Sequence, residues 1–278
     1  MAKAIMIQGT ASGVGKSILT LALCRIFKQD GHRVAPFKAQ NMTSNTALIT
    51  NGGEIAVSQM LQAYAAGIEP DANMNPVLLK PVADGTHVIC NCCPHGNMNA
   101  YESPAAQKDL LPLIMNAYAS LSERYDIIVI EGAGSPVELN LNKNDLVNMG
   151  IAKRVNAPVV LVSDIDRGGV FASLYGTLKL FDESDRQYIK STIINRFKGD
   201  ISSFRDGVKI IEKITGLPVM GVIPYIRFDL PEEDDLYDTG SPLYSHAGDL
   251  NSQFDLIADQ IRKSLNLELI YKIVDAGV

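Results

Sequence analysis

Residues 4–17 read AIMIQGTASGVGKS, and this stretch decides the predicted fold. A short apolar run is followed by the small residues 9–15, and Lys16 and Ser17 then open an amphipathic run. This order predicts a strand, a phosphate-binding loop and the start of a helix. The backbone N–H groups of such a loop and of the helix N-terminus together form an anion site. The sequence therefore predicts a nucleotide phosphate site at the first strand-to-helix turn.

The loop is a shifted version of the G-x-x-x-x-G-K-S/T motif. The strict spacing needs a glycine at position 10, where the chain has Thr10, and Gly9 lies one place earlier. Lys16 is expected to reach the outer phosphates, and the Ser17 hydroxyl to bind Mg²⁺. The alternative is a glycine-rich turn that carries only a surface lysine. The predicted nucleotide-binding residues of the loop are Gly9, Thr10, Gly13, Val14, Gly15, Lys16 and Ser17.

The composition of the 278 residues is that of a soluble globular protein, with 46% hydrophobic and 20% charged residues. A net charge of −6 argues against broad binding to nucleic acid or to an anionic membrane surface. The N-terminal sequence has no signal-peptide layout, and no apolar stretch is long enough to span a membrane. A cytoplasmic location is expected.

Strand-like apolar runs alternate with helical runs along most of the chain, which predicts an α/β fold. We expect a mostly parallel sheet with helices on both faces, of the P-loop nucleoside triphosphate hydrolase type. Residues 1–237 are expected to form the nucleotide-dependent domain, and residues 238–278 a linker and a C-terminal helix. The linker is placed at residues 237–251, which are rich in Gly, Ser, Pro and Asp.

A second group of candidate residues follows the second predicted strand. Lys38 comes at its carboxyl end, where ligands of open α/β sheets collect, and Gln40 and Asn41 follow in a predicted polar loop. That loop either lines a polar substrate site or contains these polar residues only because they favour turns. Glu54 opens a predicted helix over 54–66, either as a first-turn acid favoured by the helix dipole or as a metal or substrate ligand.

Three later strand ends carry polar residues. Glu131 follows a continuous apolar run and is predicted to support Mg²⁺, with a simple strand-end cap as the alternative. Arg167 lies in DIDRGG, between a buried strand and a new helix. Asn195 ends another strand, and its amide offers a donor and an acceptor to an adenine edge.

Further predictions concern local structure. We expect a loop over 96–103, a helix over 144–155 and a terminal helix over 254–265. Cys24 falls in the apolar pattern of the first helix and is expected in the core. The cysteines near His95 are expected to pack at a strand edge rather than to bind a metal.

Several long stretches together resemble one family. GTASGVGKS resembles the shifted phosphate loop of dethiobiotin synthetase and its relatives. The stretches KAQNMTSNT, MNPVLLKP, EGAGSPVELNL, DIDRGGVFAS, NRFKGD and PYIRFDLPEEDDL resemble the cobyric acid synthase family, over about residues 3–237.

The resemblance implies ATP-dependent amidation of corrin carboxylates through an acyl phosphate, with ATP and Mg²⁺ as cofactors. It implies catalytic roles for Lys16, Lys38 and Glu131, and Mg²⁺ binding by Ser17 and Glu131, with Glu54 as a weaker candidate. Asn195 is the adenine candidate, and Gln40, Asn41 and Arg167 are candidates for the corrinoid substrate. A homodimer is left open.

The chain departs from the family pattern after LPEEDDL, where a glutaminase domain with a cysteine nucleophile is expected. Ammonia is therefore expected from solution or from a separate glutaminase subunit. One rival is a partition-type ATPase switch. Those proteins carry a second lysine early in the loop, and this chain has none between Lys3 and Lys16. A non-catalytic remnant that binds corrinoid or a partner is the other alternative.

Overall fold

The computed structural model describes residues 2–50, 52–83, 85–97, 104–140, 145–230 and 247–278. The strands are β1 (Lys3–Gly9), β2 (Val34–Phe37), β3 (Gln40–Met42), β4 (Thr46–Leu48), β5 (Glu54–Ala56), β6 (Val77–Val82), β7 (Gly85–Cys90), β8 (Cys93–Asn97), β9 (Ile127–Glu131), β10 (Val159–Asp164), β11 (Ile189–Phe197) and β12 (Val219–Pro224). The α-helices are α1 (Lys16–Gln29), α2 (Val57–Ala66), α3 (Pro104–Arg124), α4 (Met149–Arg154), α5 (Val170–Leu180), α6 (Glu183–Arg186), α7 (Arg205–Thr215), α8 (Ala247–Ser264) and α9 (Leu267–Ala276). Short 3₁₀ helices cover Ala72–Met74 and Ile201–Phe204.

The chain divides into two compact units. The first unit comprises Met1–Ala2, Leu21–Ile128 and Asp229–Asp255, and the second comprises Lys3–Thr20, Val129–Phe228 and Leu256–Val278. The predicted boundary at position 237 lies outside the described residues, and the predicted division into residues 1–237 and 238–278 stays a prediction.

The second unit is built on a sheet in which β12, β11, β10 and β1 run parallel in that order, and β9 lies next to β1. The registers place Gly9 beside Val162, and Asp164 beside Asn195. The carboxyl ends of β1, β10 and β11 therefore meet at one edge, where open α/β sheets bind their ligands. The strands are buried because helices pack on them, α5 on β10 and α9 on β1. Parallel strands alternating with helices confirm the predicted α/β class.

The first unit contains a four-stranded sheet in the order β3-β6-β7-β8 and the separate hairpin β4-β5. Its core includes Phe37, whose ring meets Tyr118 of α3 edge-to-face with 5.4 Å between ring centroids. Burial raises the pKa of Tyr118 to about 12.

The polar stretch after Lys38 is not a loop, contrary to the prediction from its composition. Gln40–Met42 forms β3 and pairs in parallel with β6, and Thr46–Leu48 forms β4. These strands have three residues each, so they are too short for an alternation of apolar residues to indicate them.

The helix predicted from Glu54 begins three residues later, at Val57. Glu54 lies in β5, opposite Leu48 of β4, so it is not a first-turn acid. The backbone N–H of Val57 bonds the Asn45 carbonyl, and this tertiary hydrogen bond holds the residue at the strand-to-helix junction.

Two other predicted boundaries are wrong. Gly96 and Asn97 belong to strand β8, whereas 98–103 lie outside the described residues. Helix α4 begins only at Met149, because the Asp145 carboxylate accepts the N–H groups of Val147, Asn148 and Gly150 in a capping turn.

The C-terminal segment forms two helices rather than one. Helix α8 begins at Ala247, inside the predicted linker, and Asn266 caps α9 by accepting the N–H of Leu269. No described helix is both long enough and apolar enough to cross a bilayer.

Candidate active site

The phosphate loop of the second unit has the glycines that its shape requires. Gly13 and Gly15 have φ angles of 69° and 97°, in the region that disfavours side chains. A Cβ atom on Gly9 would lie 2.5 Å from Cγ2 of Val14, so this glycine allows the loop to close on itself. The loop is joined to β10, because the N–H of Thr10 bonds the Val162 carbonyl.

The Lys16 side chain is folded over this loop and is only 7% exposed. Its Nζ donates to the Ala11 carbonyl at 3.0 Å and to the Gly134 carbonyl at 3.1 Å. Both acceptors are neutral, and a phosphate oxygen would bind the ammonium more strongly because it carries charge. The lysine is thus already held beside the loop.

Ser17 and Glu131 form a direct pair at the carboxyl end of β9. The Ser17 hydroxyl donates to Oε1 of Glu131 at 2.8 Å, and Glu131 is 1% exposed. A hydroxyl and a carboxylate are hard oxygen ligands of the kind that Mg²⁺ prefers. The donor set fits the metal that the motif implies.

Asn195 touches the phosphate loop directly. Its Nδ2 donates to the Val14 carbonyl at 2.8 Å, and a Cβ atom on Gly15 would lie 2.2 Å from this nitrogen. One N–H of the amide and its Oδ1 are left for other partners. The predicted adenine role of Asn195 stays a prediction.

A loop after β9 completes the surroundings of Lys16. The Asn148 amide donates to the Ala133 carbonyl at 2.8 Å, and its Oδ1 would lie 2.3 Å from a Cβ on Gly132. Sequence reasoning missed Asn148, because it stands in the predicted helix 144–155 and has no motif of its own.

Sequence reasoning also missed the role of Arg196. Its Nη1 donates to Oδ2 of Asp164 at 3.0 Å, and its backbone φ is 62°. The neighbouring Lys198 pairs with Asp166, and this hydrogen bond raises the pKa of Lys198. The sequence signal was present in DIDRGG and NRFKGD, where opposite charges follow two adjacent strands.

Arg167 lies in the second unit, in the exposed turn between β10 and α5. It follows Asp166, which is engaged with Lys198. The predicted substrate role of Arg167 stays a prediction.

Lys38, Gln40 and Asn41 lie in the first unit. Lys38 is buried, and its backbone is held by hydrogen bonds to Met74 and Asn75. The Asn41 amide donates to Oε1 of Gln59 on α2 at 2.9 Å, whereas Gln40 is half-buried. The predicted roles of these three residues stay predictions.

Glu54, also in the first unit, has an ion-pair partner. Its Oε1 accepts hydrogen bonds from the Lys80 ammonium and the Thr46 hydroxyl. A carboxylate oxygen engaged in this way is less available to a metal, and the metal role of Glu54 remains a prediction.

The structure therefore brings together Lys16, Ser17, Glu131 and Asn195 in the second unit. Within the described residues, no cluster of three or more His, Cys, Asp and Glu side chains is suited to hold a metal. A site with Ser17 and one carboxylate would need phosphate oxygens and water to complete the metal's ligands, as is usual for Mg²⁺.

The four cysteines lie in the first unit, and none of them forms a disulfide in the described part of the chain. Cys24 is buried in α1, as predicted. Cys90 of β7 lies opposite Cys93 of β8 in the strand register. Cys92 lies in the turn between these strands, with a φ of 64°. Burial, together with the nearby Cys93, raises the pKa of the Cys92 thiol to about 11.

A family model described as the CobQ/CobB/MinD/ParA nucleotide binding domain matches residues 5–235. The chain belongs to this family. The match includes the phosphate loop, Glu131 and Asn195, and it shows that the chain contains a nucleotide-binding P-loop domain.

Curated relatives named cobyric acid synthase confirm the resemblance seen in the sequence. The protein of Ruminiclostridium cellulolyticum is 55% identical over 237 residues, which are 85% of this chain and 46% of that protein. The protein of Listeria monocytogenes serovar 1/2a is 51% identical over 257 residues, which are 92% of this chain and 50% of that protein. The chain spans about half the length of these relatives.

The MinD cell division protein of Aquifex aeolicus aligns with a TM-score of 0.47 at 13% identity, covering 94% of this chain and 98% of that one.

Proposed function

We propose that the chain is an ATP-dependent amide ligase that converts peripheral carboxylates of a corrin, of the cobyrinic acid a,c-diamide type, into amides. The observation that carries the proposal is an identity of more than 50% with cobyric acid synthases over at least 85% of this chain. The matching family model spans residues 5–235, which include Lys16, Ser17 and Glu131. Those relatives are about twice as long as this chain. Their substrate and their source of ammonia are therefore part of what we propose for it.

The proposed reaction has two steps. A corrin carboxylate oxygen attacks the γ-phosphorus of ATP, the bond to the bridging oxygen breaks, and an acyl phosphate and ADP form. Ammonia then attacks the acyl carbon, loses a proton and expels inorganic phosphate, which leaves the amide. The phosphate keeps one oxygen of the original carboxylate.

The second unit supplies the groups that this transfer needs. Lys16 would exchange the carbonyls of Ala11 and Gly134 for phosphate oxygens and so offset charge as it develops. Ser17 and Glu131 would hold Mg²⁺, which supplies further neutralisation of the phosphates when bound. Asn195 is proposed to bind the adenine edge with its Oδ1 and with the amide N–H that does not donate to the Val14 carbonyl.

The first unit is proposed to receive the substrate carboxylate. Lys38 is the candidate to pair with the carboxylate and the transferred phosphoryl group, and Gln40 and Asn41 are candidates to bind the corrinoid. Arg167 of the second unit is a further candidate partner for substrate carboxylates. The weakest of these assignments is the metal role of Glu54, because that side chain already pairs with Lys80.

Ammonia is proposed to come from solution or from a separate glutaminase. The purified chain is given the corrinoid, Mg-ATP and either ammonium chloride or glutamine, and amide formation is followed by mass spectrometry. We expect product with ammonium and none with glutamine alone. Equal product from the two nitrogen sources would contradict this part of the proposal.

The acyl phosphate is tested by labelling the corrin carboxylates with heavy oxygen. We expect one labelled oxygen in the inorganic phosphate for each amide formed, since the P–O bond made in the first step survives the second. Unlabelled phosphate would exclude the acyl phosphate.

The rival function is a nucleotide switch of the partition type. The description of the matching family also names MinD and ParA. A switch hydrolyses ATP without corrinoid, and a non-catalytic remnant binds ATP without turnover. We expect ADP formation to require the corrinoid and its continued turnover to require ammonia as well. ATP hydrolysis that is unchanged by both compounds would favour the switch.

A further inference from the structure

Strand β11 contains a bulge just where it reaches the phosphate loop. Ile194 pairs with Val222 of β12, and Phe197 pairs with Pro224. Three steps along β11 therefore face two steps along β12, so one extra residue is inserted at Asn195–Arg196. A bulge of this kind breaks the alternation of side chains and re-aims those at the insertion.

Arg196 holds the bulge in an unfavourable backbone conformation. Its φ of 62° is left-handed, a region where the Cβ atom of an L-residue crowds the backbone. Glycine, asparagine and aspartate are the residues that tolerate it best. An arginine there needs a compensating contact, and such strained residues cluster at functional sites.

Asp164 of the neighbouring strand provides that contact. Its Oδ2 accepts the hydrogen bond from Nη1 of Arg196 at 3.0 Å, and its Oδ1 accepts the backbone N–H of Asp166 at 2.7 Å. The Asp164 side chain is only 7% exposed. A carboxylate held at both oxygens and shielded from water is a rigid anchor for the guanidinium.

The residue that the bulge presents to the loop is Asn195. It stays in register with Asp164 on β10, yet its amide reaches the Val14 carbonyl and fills the space above Gly15. The ion pair and the loop hydrogen bond thus lie on consecutive residues.

We propose that Arg196 is a positioning residue for the phosphate loop. Its left-handed backbone and its ion pair with Asp164 hold the Asn195 amide on the Val14 carbonyl, which fixes the loop in the shape that receives the phosphates. The inference rests on the nucleotide site of the proposed function.

The test compares three variants by calorimetric titration with Mg-ATP. Arg196→Ala keeps the strained backbone but loses the anchor, and we expect its affinity to fall about tenfold. Arg196→Gly loses the anchor but takes the left-handed conformation freely, so we expect a loss of only about two- to threefold.

The matched control is Asn156→Ala, because Asn156 is another left-handed residue of the second unit, with φ of 52°, at the other end of the strands. It should lower the melting temperature and leave the affinity unchanged.

A double-mutant cycle tests whether Arg196 acts through Asn195. In an Asn195→Ala background, Arg196→Ala should cause no further loss of affinity, since the hydrogen bond that it positions is already absent. Additive losses, wild-type affinity in Arg196→Ala, or equal losses in the alanine and glycine variants would each overturn the inference. Failure of the wild-type chain to bind Mg-ATP would instead count against the proposed function.

Discussion

The Ser17 hydroxyl donates a 2.8 Å hydrogen bond to Oε1 of Glu131, so the start of α1 and the end of β9 are joined by the two side chains proposed to bind Mg²⁺. The carboxylate is 1% exposed, and a buried charge needs such hydrogen bonds. The contact holds the two proposed Mg²⁺ ligands next to each other.

The first prediction concerns the charge of Glu131. Glu131→Gln keeps the shape and removes the charge, so we expect Mg-ATP affinity to fall about 10- to 100-fold. ATP binding with a chelator present should change little, because no metal then needs the carboxylate. Calorimetry with and without Mg²⁺ measures both. Glu183→Gln, a change in α6 of the same unit, is the control, and an equal loss with and without metal would contradict the metal role.

The second prediction separates two glycines of the loop. Gly15→Ala places a Cβ atom 2.2 Å from the Asn195 amide nitrogen and strains a φ of 97°. The Asn195 amide must then move off the Val14 carbonyl, so the nucleotide affinity should fall further than in Gly13→Ala. Gly13→Ala has a φ of 69° but nothing within 4 Å of the new Cβ, so only strain of about 1 to 2 kcal/mol applies. Fluorescent-nucleotide titration of both variants measures the difference. Similar affinities in the two variants would show that the contact between Asn195 and Gly15 does not shape the loop.

Much of the second unit could be predicted from the sequence. The strand before the loop, Lys16, Ser17 and Glu131 stand in a local pattern of apolar strand followed by polar residue, and parallel strands bring such ends together. The opposite charges in DIDRGG and NRFKGD indicate that some ion pair forms after these strands. That Arg196 pairs with Asp164 depends on a one-residue bulge, which leaves no periodic signal in the sequence.

The third prediction concerns the ion pair of the first unit between Arg25 and Asp255. Nε and Nη2 of Arg25 donate to the two carboxylate oxygens at 2.7 and 2.9 Å, and these hydrogen bonds lower the pKa of Asp255. A lowered pKa stabilises the fold above the ordinary carboxyl pKa, and this stabilisation is lost as the pH falls through the lowered value. Since the Asp255 side chain is 47% exposed, Asp255→Asn should cost only about 1 kcal/mol near neutral pH.

Urea unfolding at neutral pH and at a pH below the lowered pKa of Asp255 checks this expectation. The difference between Asp255→Asn and the wild type should vanish at the lower pH. Asp275→Asn is the control, because its partner Lys3 and Asp275 are both more than half exposed, and it should cost less than about 0.5 kcal/mol. A difference that grows on acidification would contradict the sign of the pKa shift.

The fourth prediction concerns thiol reactivity. Cys93 is exposed, whereas Cys24 is buried and the raised pKa of Cys92, about 11, leaves little thiolate at neutral pH. A disulfide reagent should therefore react first with Cys93, and Cys93→Ser should remove the fast phase. Persistence of that phase in the variant would show that another thiol reacts first.

The first unit was less predictable than the second. Strands β3, β4 and β5 have three residues each, and their pairing partners are set by tertiary contacts such as the hydrogen bond from Val57 to Asn45. Glu54 was predicted to begin a helix because acidic residues are common in the first helical turn. Its ion pair with Lys80 could not be predicted, because Lys80 lies in β6, a strand that the sequence did not indicate.

The most direct test of the central claim, that the first strand-to-helix turn binds the triphosphate through Lys16, is calorimetric titration of wild type and Lys16→Ala with Mg-ATP. We expect binding by the wild type and at least a tenfold loss in the variant, since a charged hydrogen bond contributes about 1.5 to 3 kcal/mol. Equal affinities, or no binding by the wild type, would contradict the claim.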